Sequence, residues 1–287
     1  MVPSRIVQVL IVTGQLSAEH DPKTSQLLRR MLESTGRFNV RITEEFRGAS
    51  VETLSHYDLA ILNYDGGFPG RPPVALGRQA EQALVEFVQS GKGIVFHHSA
   101  VWTTVWPPEF LPLMGGYCDP GRGSRKNPIS EFAVKISNST HPVTAGLAPQ
   151  WNTVQDDLFA GVVWHEGAQV EVLATVFDDL DGYSDVPSHI AFMIPEEGPQ
   201  AMKGVDEDQA VAWTNRFGEG RVFAISIGHG IDTIRRPGFV ALYCRAAEWA
   251  ATGTVTLAPP DLTGENRRRA WPYYCDLSLA ELSALTP

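Results

Sequence analysis

The first hundred residues alternate between short apolar runs and segments in which apolar residues recur with helical spacing. The apolar runs, rich in β-branched residues, predict buried strands at residues 6–13, 38–42, 59–62 and 93–96. Apolar residues three and four positions apart predict a helix that begins at Thr24 or Ser25 and another over residues 75–89. Strands that lack in/out alternation and are separated by helices are typical of a parallel sheet covered on both faces. We therefore predict a doubly wound α/β fold of the flavodoxin-like type, with a mostly parallel sheet and helices on both of its faces.

The second half of the chain is less regular. Residues 102–164 are dense in Gly, Pro and Trp, and residues 178–208 form an acidic excursion. Further strands are predicted at residues 132–136, 170–177, 209–214 and 221–227, and a closing helix at residues 239–251. Because long irregular connections in a compact domain usually form lids or binding loops, we expect such loops at the carboxyl edge of the sheet. The prediction is one domain over residues 1–258 followed by a tail over residues 259–287.

The composition is that of an ordinary soluble globular protein, with 43% hydrophobic and 20% charged residues. The formal net charge of −10 at pH 7 disfavours nucleic acid as a partner, because a polyanion would be repelled. The three cysteines are odd in number and lack CxxC spacing, which argues against a disulfide framework and favours the reducing cytoplasm. No apolar run approaches the about 18 residues of a membrane span, and no secretory signal is recognisable. A cytoplasmic protein without membrane partners is expected, and a homo-oligomer is compatible with these features.

Histidines follow several of the predicted strands. The first strand is followed by His20, and the last by His229. The fourth strand runs directly into His97 and His98, and Asp65 follows the third. Ligands of open parallel sheets bind beyond the carboxyl ends of the strands. We therefore expect these side chains to converge at one edge, with Asp65 contacting substrate.

Three imidazoles and a carboxylate suit zinc or another divalent metal, and neutral imidazole also acts as an acid or base near neutral pH. The chain lacks HxH and HExxH spacing, so a metal-free His/Asp acid–base site is the alternative. Consecutive strand residues face opposite sides of a sheet. We therefore favour His97 as the residue that faces the ligand, with His98 as its neighbour or behind it.

Two further features add candidate binding groups. Adjacent carboxylates at Asp156 and Asp157 lie beside aromatic residues, although a solvated turn would have the same pattern. Tryptophans recur in the loops and strand ends, and Trp102 follows the histidine pair closely. The flat face of Trp, with its single N–H donor, suits the C–H face of a sugar ring. These features favour a polar, partly aromatic pocket.

Several strings, taken together and in order, resemble those of the ThuA-like (trehalose utilisation) family. They are residues 91–100, 110–116, 141–142, 151–159, 212–223, 228–230 and 248–251, and the resemblance covers roughly residues 6–252. The fold of this family is similar to that of class I glutamine amidotransferases. The amidotransferases place a Cys nucleophile where the fourth strand turns into a helix. This chain has no Cys there, so the resemblance implies that it is not a glutaminase; Ser99 as a substitute nucleophile is an alternative.

The resemblance also implies roles for individual residues. His20 matches the family's histidine after the first strand, and His97 the one after the glycine-led strand. His229 matches the Gly-His near the end, and Arg216 lies in the family's Trp-Thr segment. Asp156 and Asp157 take the place of an Asp-Glu pair, so that Asp157 is shorter than the usual side chain. The implied catalytic and metal-binding set is His20, His97, His229 and Asp157; the implied substrate-binding set is Asp65, His98, Trp102, Asp156 and Arg216.

The family context implies a sugar substrate and a partner sugar oxidoreductase. We therefore predict a carbohydrate-processing enzyme that acts on a keto-sugar or an oxidised glycoside by isomerisation, elimination or hydrolysis, with zinc as the favoured metal. A carbonyl acidifies the neighbouring C–H bond, so a His or Asp can remove its proton. No GxGxxG follows a strand, so no nucleotide cofactor is expected. The alternative is a sugar-binding accessory module, without turnover, for a partner sugar dehydrogenase.

Overall fold

The computed structural model describes residues 5–14, 20–21, 23–66, 74–103, 106–188 and 190–260. Of the sequence features named above, most of the predicted tail, residues 261–287, lies outside the described residues. Within those ranges the chain forms thirteen strands, six α-helices and several short 3-10 turns. None of these helices is long and apolar enough to cross a membrane.

A mixed sheet organises the molecule. The strands are β1 (Val7–Val12), β2 (Phe38–Thr43), β3 (Leu59–Leu62), β4 (Gly93–His97), β5 (Gly116–Tyr117), β6 (Arg125–Lys126), β7 (Ala133–Ile136), β8 (Gln150–Asn152), β9 (Phe159–Ala160), β10 (Val163–Trp164), β11 (Glu171–Phe177), β12 (Asp208–Phe217) and β13 (Gly220–Ile225). Nine of them join in the order β2-β1-β3-β4-β13-β12-β11-β7-β8. The first five strands in this order are mutually parallel, and the last four continue the sheet in antiparallel fashion. The predicted α/β class and the parallel half of the sheet are confirmed.

Helices cover both faces of the sheet. They are α1 (Thr24–Ser34), α2 (Val51–Leu54), α3 (Arg78–Gln89), α4 (Phe110–Met114), α5 (Ile231–Ile234) and α6 (Pro237–Thr252). Alternate residues of each central strand enter two separate cores. Val95 of β4 packs in the core with α1 and α6, whereas its neighbour Phe96 packs in the other core with α3 and α4. This two-sided burial explains why the parallel strands lack in/out alternation.

The irregular middle of the chain forms two small antiparallel sheets, β5 with β10 and β6 with β9. Strands of two residues have no detectable periodicity, so the sequence pattern did not predict them. The acidic excursion after β11 folds as 3-10 turns at Leu180–Tyr183, Ala191–Met193 and Pro199–Ala201. A buried ion pair between Arg125 of β6 and Asp178 fastens the start of this excursion to the small sheet.

Candidate functional site

The end of β4 determines which of the two adjacent histidines faces the carboxyl edge of the sheet. His97 is the last residue of the strand, and His98 begins a 3-10 turn with φ of 48°. Positive φ is uncommon for a residue other than glycine and marks a sharp change in chain direction. The two rings consequently lie on different sides of the backbone, with their centroids 6.3 Å apart.

His98 belongs to a cluster with His20 and His229. The ring centroids are 5.0 Å apart for His20 and His98, 4.9 Å for His20 and His229, and 5.2 Å for His98 and His229. One nitrogen from each ring lies within 4.8 Å of the others. The predicted convergence of histidines from three strand ends is therefore seen in the structure, with His98 in the place where the sequence favoured His97.

His97 is directed into the core instead. Its ring makes edge contacts with Phe239 and Tyr243 of α6, at centroid distances of 6.2 and 5.6 Å. Burial, together with the neighbouring His20, lowers the pKa of His97 to about 3, so the ring stays neutral. The expectation that His97 faces the ligand fails because the positive φ of His98 turns the chain immediately after the strand. His97 instead packs in the core next to the cluster.

Each ring of the cluster is oriented by an acceptor. His20 Nδ1 lies 3.0 Å from Asp65 Oδ2, and His98 Nδ1 lies 2.7 Å from the Ser226 carbonyl oxygen. A carbonyl or a carboxylate can only accept, so these two Nδ1 atoms carry protons when the rings are neutral, and the two Nε2 atoms carry lone pairs. Asp65, predicted to contact substrate, is thus placed behind His20. Burial lowers the pKa of His98 far below its usual value, which keeps its Nε2 unprotonated.

His229 is held by the carboxylate of Asp157. Its Nδ1 lies 3.1 Å from Asp157 Oδ2 and 3.2 Å from His98 Nε2. Although burial opposes the charged form, the hydrogen bond and charge of Asp157 raise the pKa of His229. Asp157 itself is fully buried, and the Lys126 ammonium lies 2.8 Å from the same Oδ2. His229 and Lys126 together outweigh burial and lower the pKa of Asp157.

Lys126 was not among the residues predicted from the sequence. It lies on the two-residue strand β6, which pairs with β9. Only this tertiary pairing brings Lys126 to a carboxylate 31 positions later in the chain. One sequence feature could have indicated this contact: the chain has two adjacent basic residues, Arg125 and Lys126, and two adjacent acidic residues, Asp156 and Asp157.

The Asp156 side chain accepts hydrogen bonds from the backbone of the site. Its Oδ2 accepts the N–H of Gly228 at 2.8 Å, and its Oδ1 accepts the N–H of His229 at 2.9 Å. The side chain is fully buried, so the predicted contact with substrate is not supported; Asp156 fixes the turn that carries His229. Burial raises the pKa of Asp156 to about 6 in spite of these hydrogen bonds. The two adjacent carboxylates therefore have different partners. Asp156 binds the backbone at His229, and Asp157 binds the His229 ring.

Aromatic side chains form one wall of the cluster. Phe159 stacks on His98 with centroids 4.6 Å apart, and Trp102 meets Phe159 edge-on at 5.2 Å. Trp102 is half-buried. Its predicted position near the site agrees with the structure, with Phe159 between it and the imidazoles.

Arg216 is a wrong prediction for the site. It is exposed and pairs with Arg221 at the start of β13, which in turn pairs with Gly93 at the start of β4. The histidines lie beyond the opposite ends of β4 and β13. Arg216 had been assigned to the site only because it lies in the Trp-Thr segment of the resemblance to the ThuA-like family.

Ser99, the alternative nucleophile, and Cys118, a thiol in the irregular middle of the chain, are both buried. Cys118 is fully buried, and burial raises the pKa of its thiol. Ser99 Oγ is buried and forms no hydrogen bond with a residue in the described ranges. A serine nucleophile requires a base within hydrogen-bonding distance. Neither residue therefore has the arrangement of an activated nucleophile in this structure.

Comparison with other proteins places the chain in a family. The ThuA family, described as trehalose utilisation, matches residues 8–250. No match was found among curated proteins. Among solved structures, a ThuA-like protein of Parabacteroides merdae ATCC 43184 is 23% identical, with a TM-score of 0.68 over 90% of this chain and 94% of that one. A ThuA-like protein of Bacteroides uniformis ATCC 8492 is 19% identical, with a TM-score of 0.62 over 87% and 93%.

A cytoplasmic protein of Salmonella typhimurium LT2 is 11% identical, with a TM-score of 0.54 over 85% of this chain and 99% of that one. At these identities the solved structures show a common fold and no more. The family match extends over most of the chain and spans every residue of the histidine cluster and its supporting carboxylates. The chain belongs to the ThuA family, whose description links it to carbohydrate utilisation.

Proposed function

We propose that this protein is an enzyme that acts on a keto-sugar or an oxidised glycoside, using His/Asp acid–base chemistry assisted by a divalent metal bound by His20, His98 and His229. One observation carries the proposal. Nitrogens of three imidazoles lie within 4.8 Å of one another, and each ring is oriented from behind by an acceptor. Metal-binding histidines typically have such partners, which fix the tautomer and the ring orientation.

The donor set fits a divalent transition metal. Neutral imidazoles suit zinc, iron, nickel or copper, and zinc is favoured because three protein ligands plus an open position are typical of its catalytic sites. Zn–N distances of about 2.0–2.1 Å imply tetrahedral N···N separations of about 3.4 Å. Metal binding would therefore draw the three rings together. The low pKa of His98 helps, because this ring loses no proton on binding.

His229 has two proposed roles, as a ligand when the metal is bound and as the base in the metal-free site, because its Nδ1 faces the Asp157 carboxylate and only Nε2 offers a lone pair. Asp157 raises the pKa of His229, so that the ring is a better proton acceptor than an isolated imidazole, and Lys126 keeps Asp157 ionised. A carbonyl on the sugar acidifies the adjacent C–H bond, whose proton His229 would accept when it is not a metal ligand. A metal held by His20, His98 and His229 would instead supply electrostatic stabilisation of the enediolate oxygen. Isomerisation then follows from return of the proton to a different carbon. Elimination follows when the bond to the β-oxygen substituent breaks and the departing oxygen takes up the proton.

The substrate class rests on the family description and on the aromatic wall. Carbohydrate utilisation is the described role of the family, and the half-buried Trp102 provides an aromatic surface near the imidazoles, with the buried Phe159 between them. A partner sugar oxidoreductase in the cytoplasm would supply the carbonyl. The protein would take the oxidised sugar from that enzyme.

Metal content tests the first half of the proposal. Protein purified without an affinity tag should contain about one metal ion per chain. His98→Ala and His229→Ala should each lose it, while His56→Ala, at an exposed histidine outside the cluster, should retain it. Circular dichroism checks that each variant is folded. Stoichiometric metal in folded His98→Ala would overturn the metal assignment, as would wild-type protein that takes up no zinc on dialysis.

Solvent exchange tests the second half. Oxidised and unoxidised disaccharides are incubated with the protein in deuterated buffer and followed by NMR. The oxidised sugars should exchange the C–H next to the carbonyl or give product, and His229→Ala should be slower by about 100-fold or more. Sugar binding with neither exchange nor product across the panel would overturn catalysis and favour the accessory module.

A further inference from the structure

A cleft outside the histidine cluster has the chemistry of a carbohydrate site. It has a volume of about 640 Å³ and lies between β10 and the face of β11 and β12. Small-molecule sites have volumes of about 300–1,000 Å³. The polar and aromatic side chains that line it include Arg122, Trp164, Lys203, Glu207, Asp208 and Gln209. We propose that this cleft binds a neutral saccharide, with the ring of Trp164 as the stacking surface.

The Trp164 ring is both accessible and fixed. The Trp164 side chain is 42% exposed, whereas tryptophan side chains in folded proteins are usually largely buried. One edge of the ring rests on the backbone of Gly116, where an added Cβ would come within 2.4 Å of Trp164 Cζ3. Its other support is Trp213, met at 86° and 5.6 Å, and Trp213 is locked by its Nε1–H bond to the Met114 carbonyl. A ring held in this way loses little entropy when a ligand stacks on it.

The floor of the cleft is equally well ordered. Gln209 Oε1 accepts the N–H of Gly161 at 2.9 Å, and its Nε2 donates to the Gly204 carbonyl at 2.6 Å. Ser124 Oγ donates to the Gly161 carbonyl at 2.6 Å. The backbone groups at the base of the cleft are therefore satisfied within the protein, and the exposed side chains at its rim are the groups that can bind a ligand.

The charges at the rim favour a neutral ligand. Arg122 and Lys203 contribute two cations, and Glu207 and Asp208 contribute two carboxylates, all on exposed side chains. Asp208 is also paired with Lys135 at 3.2 Å, so the rim has no excess of negative charge. A strongly anionic or cationic ligand would meet as much repulsion as attraction. A polyol has hydroxyls that both donate to carboxylates and accept from cations, and its C–H face packs on an indole.

The cleft is separate from the histidine cluster but lies close to it. Phe159 stacks on His98, and Gly161, two residues later, lines the cleft. On the facing strand, Lys126 contacts Asp157 while Gly123 lines the cleft. The small sheet of β6 and β9 thus separates two sites. Saccharide binding in the cleft depends neither on a metal nor on turnover.

The test is a titration with two unoxidised disaccharides, trehalose and maltose, followed by saturation-transfer NMR on EDTA-treated protein. At least one sugar should bind, and Trp164→Ala should weaken it at least tenfold, about 1.4 kcal/mol. Trp164→Phe should stay within threefold of wild type. Phe192→Ala is the matched control, because Phe192 is a more exposed aromatic side chain, at 73%, that does not line the cleft.

Variants of the two sites separate the possible outcomes. Glu207→Ala leaves the Trp164 supports intact, and it should weaken binding at least threefold even if Trp164→Ala is unstable. His98→Ala should leave cleft binding unchanged. Binding that survives in both Trp164→Ala and Glu207→Ala, or that is lost in folded His98→Ala, would overturn the cleft site. Absence of binding by both sugars would also overturn it, while metal content and exchange on oxidised sugars would remain independent tests of the proposed enzyme.

Discussion

His98 Nε2 lies 3.2 Å from His229 Nδ1, joining the end of β4 to the turn after β13. Because His98 Nδ1 donates to the Ser226 carbonyl, its Nε2 is the accepting nitrogen in the neutral ring. His229 Nδ1 therefore donates to this nitrogen or to Asp157 Oδ2 at 3.1 Å. A contact between two histidines thus joins the turns that follow two adjacent parallel strands.

Gly228 is required by close packing as well as by its backbone conformation. It has φ of 103°, and an added Cβ would lie 2.9 Å from both His97 Cε1 and Phe239 Cε2. Gly228→Ala should lower the free energy of unfolding by about 3 kcal/mol, from positive φ and overpacking together. The matched control is Gly77→Ala, where φ is 93° but nothing lies within 4 Å. It should cost only about 1 kcal/mol in urea denaturation, and equal losses in the two variants would contradict the packing argument.

Replacing Asp156 with asparagine should lower the free energy of unfolding. In Asp156→Asn one oxygen is replaced by an NH₂ group, which cannot accept the N–H of Gly228 or His229. A buried donor then lacks its acceptor, at a cost of about 1–3 kcal/mol, more where the lost acceptor was charged. The comparison is Asp179→Asn, at an exposed carboxylate that accepts the Asp181 N–H at 3.0 Å. That change should cost less than about 1 kcal/mol in the same assay, and a comparable cost would show that Asp156 does not hold the turn.

Lys126 should contribute more to stability than an exposed lysine in a similar pair. Lys126→Met removes a cation from the fully buried Asp157, which should lower the free energy of unfolding by about 2–4 kcal/mol at pH 7. Lys135 pairs with Asp208 at 3.2 Å, with both side chains nearly half exposed. Lys135→Met should therefore cost less than about 1 kcal/mol. If urea denaturation gives the same small loss for both, His229 alone is sufficient to stabilise Asp157.

The parallel half of the fold could be predicted because its strands and helices are long enough to have a pattern. The predicted helix over residues 75–89 corresponds to α3, and the predicted strand over residues 59–62 coincides with β3. The small sheets could not be predicted in this way, since β6 and β9 have two residues each. Their positions depend on tertiary pairing, not on local pattern.

The sequence could predict at which strand ends the site residues lie, but not which neighbouring side chain faces the site. His20 and His229 follow strands whose carboxyl ends meet, so their convergence follows from topology. The choice between His97 and His98 depended on one backbone angle, the φ of 48° at His98, which alternation along a strand cannot reveal. Arg216 was assigned from a matching segment of the family, and a matching segment does not show at which end of the sheet its residue lies.

Acid should destabilise the protein through its buried histidines. The folded-state pKa of His97 is lowered to about 3, from about 6.5 in the unfolded chain, so its contribution to stability is present above pH 6.5 and is lost as the pH falls toward 3. His98 acts in the same direction. Asp156, with a pKa raised to about 6, acts in the opposite direction between pH 6 and 4, because its folded state takes up a proton before the unfolded state does.

Burial also lowers the pKa of His141, so three histidines act against one carboxyl group. The free energy of unfolding should therefore fall as the pH is lowered from 6.0 to 4.5, and the contribution of His97 alone is about 1.4 kcal/mol for each pH unit. Replacing His97 by Gln removes one histidine contribution, so the slope in His97→Gln should be smaller than that of wild type by about 1.4 kcal/mol per pH unit over the same range. Urea denaturation at half-unit pH intervals measures the slope whatever the absolute stability of the variant. His56→Gln, at an exposed position, should keep the wild-type slope, and an unchanged slope in His97→Gln would show that His97 is not held neutral in the folded protein.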